Sequence, residues 1–497
     1  MSSAPSTVPG LPPLTRWLVL LVAAIGFLFD TYELLMFPVI GAQALAELLK
    51  VPPTDNLVRE WIGRMLWIAA LAGGIFGLLG GYLIDVLGRK KVMIGSILVY
   101  SLSPVAAAYS TELWQLVLFR CTTFIGVCVE LIAAVTWLAE LFPDKKQREV
   151  AIGWTLACAS LGGIFVTMVF QGIVGYMKDH PDGAAWLPLP THVAWRYMLL
   201  TGLIPGALIL ILMPFVPESG VWKAKKLAGT LKRPRFGELF SPQLRRTTLV
   251  TTLLSACGYA AAFGALQLTP AQMVPGLPVI EQVKKEAPEK VKTATEKVKS
   301  AKEGTDERNV AEKELASAKN SVKNATDAKR GDIQLWQELG GLTGRILFAI
   351  LLLYVASRTL IRIFLLPGVI LFPIAYLVLY QGDYTVFAIA IFFCGLVTVA
   401  QFSYVSEYLP KVFPVHLRGT GSGFATNVGG RMLGTMAAIL NTEILAPMFF
   451  PGEGPEKNPM RVAQAAAIIG AVVYTVALVL SFLLPPALSE EETPPRA

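Results

Sequence analysis

The sequence predicts an all-α membrane protein of twelve transmembrane helices in two pseudo-symmetric six-helix bundles, and three observations carry that prediction. Of its 497 residues, 54% are hydrophobic and only 16% charged, against about 25% charged in a water-soluble domain. Apolar stretches begin near Arg16, Trp61, Val92, Leu113, Val150, Trp195, Leu249, Ile333, Leu360, Tyr384, Gly419 and Val462, each long enough to cross a hydrocarbon core of ~30 Å. Glu140-Leu-Phe-Pro143 with Arg148 and Gly153 recurs as Glu407, Phe413-Pro414, Arg418 and Gly423, which marks a duplicated unit.

Orientation follows from the basic residues. One set of loops holds Arg89, Lys90 and Lys91, then Lys145, Lys146 and Arg148, then the run from Lys223 to Arg246; the opposite set holds scattered residues such as Lys50, Arg59, Lys178 and Lys457. The excess of Lys and Arg in cytoplasmic loops puts both termini in the cytoplasm of a cell that carries the chain in its plasma or bacterial inner membrane. The expected divisions are a bundle at 1–216, a cytoplasmic central loop at 217–246 and a second bundle at 247–497. Within the second bundle, residues 281–330 form a charged extracytoplasmic insertion. Its apolar positions Val291, Ala294, Val298 and Ala301, and then Leu315, Ala318, Val322 and Ala325, suit a small helical hairpin, while a core made mostly of alanine equally suits a solvated, partly mobile insertion. The first apolar stretch exceeds a signal-peptide core and lacks a small-residue cleavage site, so it is expected to remain.

The net charge of +8 needs no nucleic-acid partner once it sits in such loops. Five cysteines (Cys121, Cys128, Cys158, Cys257, Cys394) lie in apolar runs without a Cys-x-x-Cys pair, so they read as packing residues. Three histidines in separate loops (His180, His192, His416) give no metal site. With no Gly-x-x-x-x-Gly-Lys-Ser/Thr loop, ATP-driven transport is excluded. Neither enzyme activity nor a cofactor is expected.

Charges inside the spans carry the functional reading. Asp30 lies roughly 21 Å along its helix from Arg16, near mid-membrane, and Glu33 follows nearly one turn later. A charge at a helix centre costs about 2.5–3.5 kcal/mol on insertion scales, so two acids there suit a proton carrier, the alternative being a packing pair with a buried arginine. Glu130 in the fourth span is either a second protonation site or a counter-ion, and at about 15 Å from Arg120 it cannot pair with that residue. Arg345 in the eighth span and Arg431 in the eleventh bring permanent positive charge to mid-depth. Guanidinium suits carboxylate or phosphate recognition; the alternative is structural pairing with Glu338 or Glu443. Gln401 and Asn427 are neutral hydrogen-bonding candidates for the substrate, or helix glue.

The loop Gly81-x-x-x-Asp85-x-x-Gly88-Arg89-Lys90 suits a latch: Gly88 permits a tight turn and Asp85 can accept from a neighbouring helix end or a loop arginine. Glu140 with Arg148, and Glu407 with Arg418, suit a salt-bridge gate at the cytoplasmic ends. This loop resembles the signature of the major facilitator superfamily over essentially the whole chain outside 281–330. Arg120 with Gly126 and Glu130 resembles the fourth-helix pattern of its metabolite and phosphate symporters, although Phe124 and Cys128 replace glycines. Trp195-Arg196 and Pro217-Glu218-Ser219 are similar to sugar-porter elements, the latter continuing with Gly220-Val221 instead of Pro-Arg. Asp30-Thr-Tyr-Glu33-Leu34 and Gly430-Arg431-Met-Leu-Gly434 are similar to segments of phosphate and aromatic-acid proton symporters. The resemblance implies a monomeric secondary transporter that moves a small organic anion with protons by alternating access. A sugar carrier and a non-transporting membrane sensor are the alternatives.

Overall fold

The computed structural model describes residues 12–486 except 143–144, 181–182, 185, 228–235, 302–305 and 415–416; at some further helical positions, among them 81, 85, 145–154 and 404–407, only the backbone is described. The described residues are helical throughout the two halves, with no strand among them. The first half contains Pro13–Leu49, Asn56–Leu87, Arg89–Ala108, Leu113–Leu141, Lys145–Asp179 and Ala194–Phe215. After a short amphipathic helix, Gly220–Leu227, the second half opens with Arg245–Ala261, continued by the tighter and wider turns Ala262–Leu266, Thr269–Met273 and Val274–Gly276. Then come Ser321–Leu351, Ser357–Pro373 with Ile374–Leu379, Tyr384–Glu407, a segmented helix from Arg418–Phe424 to Leu440–Leu445, and Asn458–Phe482.

Ten helical segments among the described residues are long and apolar enough to cross a membrane. The eighth and eleventh expected spans, Ser321–Leu351 and the segmented helix after Arg418, are not among them, for a chemical reason. They carry Glu338 and Arg345, and Asn427, Arg431 and Glu443, respectively, and the eleventh is broken at Thr435–Met436. Such helices are stable in a bilayer only when the bundle surrounds them.

Duplication is visible in the packing. Within the halves, helix 1 packs on 5, 2 on 4 and 3 on 6, and the same pairs recur as 7 on 11, 8 on 10 and 9 on 12. The halves meet through helix 5 on 8 and, as its counterpart, helix 2 on 11. Without water to drive association inside lipid, close backbone approach at small residues does the work. A Cβ at Gly340 or Gly344 of helix 8 would run into the carbonyl oxygens of Phe392 and Leu396 on helix 10, and one at Gly395 would meet the Gln337 carbonyl.

Between the seventh and eighth spans, Pro278–Ser300 packs antiparallel to Asp306–Lys319. Lys297 Nζ donates to Glu314 Oε2 at 2.7 Å between the two helices, and Ala294 and Ala311 are buried. This end of the molecule is the hairpin end below; the opposite one, with Arg89, is the basic end.

Replacing Gly344 with valine is expected to cost about 1–3 kcal/mol of stability, as overpacking does. Nothing approaches within 4 Å of a Cβ at Gly95, so Gly95→Ala is the control. Thermal midpoints in detergent check this: a fall for Gly344→Val alone is expected, and equal midpoints would contradict the described packing.

Candidate functional site

The first helix carries Pro38 in its interior. A proline has no N–H, so the carbonyl four residues earlier, that of Leu34, loses its helical donor. Arg120 replaces it: Nη2 donates to Leu34 O at 3.0 Å and Nη1 to Glu33 O at 2.8 Å, while the guanidinium lies over the Phe37 and Phe124 rings. Arg120 is thus engaged by backbone, and the ring of Phe124, which stands where the resembling pattern has glycine, is one of its supports. The Glu33 carboxyl, fully buried, accepts no hydrogen bond from a described residue.

Asp30 and Glu130 come together. Their carboxyl groups lie within hydrogen-bonding reach of each other, and no N–H or O–H donor among the described residues reaches any of their four oxygens. Both are buried, at 7% and 0% exposure. Gly26 makes room: a Cβ there would stand 2.5 Å from Glu130 Oε1.

Arg431 enters from the other half. It is buried, within electrostatic reach of Asp30, Cys128 and Tyr259, and its Nη1 donates to Asn427 Oδ1 at 2.6 Å. Asn427 in turn donates to Gly423 O at 3.0 Å, so it fixes the guanidinium from one turn away. Helix 2 clears the approach with glycines: a Cβ at Gly73 would stand 2.7 Å from Cys128 Sγ, and one at Gly77 2.8 Å from Asn427 Oδ1. Glu443, one of the alternative partners for Arg431, accepts from Arg64 Nε at 2.8 Å instead. Arg345 is half-buried and within electrostatic reach of Glu338 and Tyr259. Tyr259 is thus within electrostatic reach of both arginines. Gln401 lies on a narrow crevice with Leu254, Gly258, Tyr259, Ile361 and Phe402.

At the basic end, Gly88 has φ +100°, in the left-handed region that glycine adopts freely. Arg89 Nη2 donates to Glu140 Oε1 at 2.8 Å, and Lys90 Nζ to Val216 O at 2.6 Å. Gly81 and the side chains of Asp85, Arg148 and Glu407 lie outside the described residues, whereas Arg418 is half-buried at the start of its helix. Glu218 is a residue that sequence reasoning did not single out for this latch. Both its carboxylate oxygens accept from Lys90 N, at 3.2 and 3.1 Å, where the third helix presents the positive end of its dipole. A Cβ at Gly88 would stand 2.6 Å from Glu218 Oε2. An acid following the last span of the half, opposite a Gly-Arg-Lys helix start, was the available signal.

Residues 18–285, more than half the chain, match the sequence model of the Major Facilitator Superfamily. The chain belongs to the major facilitator superfamily. Members of this superfamily are membrane transport proteins, not enzymes. The chain is 23% identical over 272 residues to an arabinose-proton symporter of Bacillus subtilis, covering 49% of this chain and 52% of that one. It is 31% identical over 179 residues to a 4-hydroxybenzoate transporter of Pseudomonas putida, covering 35% and 36%. The matches thus span about half or less of these relatives' own lengths. A longer match, 22% identical over 424 residues, is to a probable 4-methylmuconolactone transporter of Cupriavidus pinatubonensis, covering 84% of this chain and 82% of that one. Among solved structures, a D-xylose-proton symporter superposes with a TM-score of 0.63 at 16% identity, over 94% of this chain and 98% of that chain, which shows a shared major facilitator fold.

If Arg120 serves the carbonyl that Pro38 frees, the two positions are coupled. Arg120→Ala is expected to cost less stability in a Pro38→Ala background, with a coupling of about 1 kcal/mol in a double-mutant cycle. Additive costs would mean that Arg120 holds the helix for another reason.

Proposed function

We propose that this protein is a secondary transporter that carries a small organic anion with protons by alternating access. The observation that carries the reading is the burial of Arg431 of one half within electrostatic reach of Asp30, the neighbour of Glu130 in the other. Two neighbouring carboxyl groups without donors cannot both ionise at acceptable cost in an apolar interior. One proton on the pair relieves that cost, and so does the field of Arg431. When an anionic substrate takes Arg431, the pair loses its counter-charge and holds a proton instead; when the anion leaves, Arg431 again stabilises the ionised acid. Proton and anion are thereby linked through one guanidinium. Arg345, Tyr259 and Asn427 support the anion site, and Glu33 is a further acid open to protonation.

In this reading both termini and the basic end are cytoplasmic and the hairpin end extracytoplasmic, with the bundles at 1–216 and 247–497 rocking about the site and 217–246 linking them. The chain acts as a monomer in the cell membrane. Resemblance to the arabinose-proton symporter favours a second reading, a neutral sugar. Oε1 of both Gln334 and Gln337 and Nε2 of Gln401 have no hydrogen-bond partner among the described residues, and such amides suit hydroxyl-rich ligands.

Uptake into proteoliposomes under an imposed pH gradient, inside alkaline, separates these. For the anion reading, labelled benzoate is expected to accumulate in the wild type and to fall at least tenfold in Arg431→Gln, the loss of a charge-assisted contact worth about 1.5–3 kcal/mol. Asp30→Asn is expected to remove the response to the gradient while leaving anion exchange measurable. Accumulation of arabinose but not benzoate, or gradient-driven uptake that survives Asp30→Asn and Glu130→Gln together, contradicts the anion-symport scheme.

A further inference from the structure

The segment 281–330 is joined to the rest of the protein by more than the chain. Asp327, near its end, is 4% exposed and lies in the layer where the two halves meet at the hairpin end. Its Oδ1 accepts from Gln43 Nε2 of the first helix, in the opposite half, and from Arg330 Nη1 at 2.9 Å. Arg330, 1% exposed, also donates through Nε to Pro270 O at 2.9 Å, on the seventh helix. The root of the insertion therefore binds helices 1, 7 and 8 into one polar cluster. Two more ties cross between the halves beside it. Arg59 Nη1 donates to Asn458 Oδ1 at 2.7 Å, and Arg59 O accepts from Gln272 Nε2 at 3.0 Å. Asn458 is saturated, with Nδ2 donating to Thr54 O and Asn56 Oδ1 and with Arg461 as a second donor to Oδ1. Arg64 completes the layer on Glu443.

We propose that the root of the insertion is a gate clamp: Asp327, held by Arg330, grips Gln43 and keeps the hairpin end of the transport pathway shut in the state seen here, together with the Arg59–Asn458 tie. The proposal rests on the alternating-access reading above. Hydrogen bonds withdrawn from water in this way are strong because separation leaves each group without a partner until water enters. Opening this end must break those that cross between the halves, so each of these weights the equilibrium between closed and open. The outer part of the hairpin contributes stiffness: Lys284 Nζ donates to Pro275 O at 2.8 Å, where the seventh helix leads into the insertion. Its exposed pairs, such as Lys297–Glu314, contribute little to closure.

The test is a distance. Lys50 and Lys457 are exposed at the hairpin end, one in each half. Spin labels on Lys50→Cys and Lys457→Cys, in full-length protein with the native cysteines replaced and reconstituted in liposomes, report the separation by pulsed electron resonance. Gln43→Ala, which leaves the Asp327–Arg330 pair intact, is expected to raise the ratio of long to short distances about fivefold, and Asn458→Ala to do the same. Lys297→Ala is expected to leave the distribution unchanged. Asp327→Asn keeps the volume and serves as a second probe at the root, expected to act in the same direction as Gln43→Ala. An unchanged distribution in both Gln43→Ala and Asp327→Asn overturns the clamp, even if the wild type transports. Absence of anion or sugar flux in the wild type sinks the transport reading separately, while widened distances in Gln43→Ala would still establish the clamp.

Discussion

The constraint on which the rest of this structure depends is the burial of ionisable groups on both sides of the plane where its two halves meet. Asp30 and Glu130 belong to one half and Arg431 to the other, and all three are withdrawn from water. Within either half alone, such charges would be a liability of several kcal/mol. Brought together, they make the association of the halves depend on the ionisation of a few groups. Association driven by packing alone would have no such dependence, because apolar contacts in lipid do not change with protonation. The interface is therefore the part of the molecule whose energy responds to chemistry.

Small residues let that chemistry reach across. The counterpart pairings of helix 2 with 11 and helix 5 with 8 are both cleared by glycine. Gly77 leaves room for Asn427, and a Cβ at Gly163 would overlap the Glu338 carboxyl. Glu338 accepts from Gln334 and Gln337 on its own helix, so the second interface buries an acid on helix 8 while the first buries an arginine on helix 11. The duplicated scaffold is thus symmetric in packing and asymmetric in charge. The proposed coupling between proton and anion draws on that asymmetry.

Much of the scaffold was legible in the sequence because bilayer thickness and hydropathy fix helix positions with few alternatives. The repeat of Glu140 and Arg148 at Glu407 and Arg418 gave the duplication. The eighth and eleventh helices show the limit of hydropathy: their polar residues are tolerated only through neighbours that composition does not reveal. The site was less legible for a similar reason. Spacing along one helix showed that Arg120 and Glu130 could not meet, but it could not show that Arg120 would be drawn to Leu34 O by Pro38, or that Glu130 would meet Asp30. Both are contacts between helices, and their register depends on packing at Gly26, Phe124 and Gly126. Glu218 was harder to read because its partner is a backbone N–H, and only its place after the last span, opposite the Gly88-Arg89-Lys90 helix start, pointed to it.

The two ends of the molecule use polar contacts differently, and the difference bears on how the halves move. At the basic end, Arg89 with Glu140, Lys90 with Glu218 and Trp137 with Pro217 O all join parts of the first half and its outgoing linker. They stiffen that half. At the hairpin end, Arg59, Arg64 and Gln43 reach Asn458, Glu443 and Asp327 of the second half. In the proposed alternating access, a half braced in this way would turn as a unit, because bending it would cost the internal contacts while turning it exchanges only the ties between the halves. The free energy of that exchange is what protonation of a buried acid pair can match, since both amount to a few kcal/mol. A half without internal bracing would dissipate the same energy in local rearrangement of its helices, and proton binding would then leave the far gate unmoved.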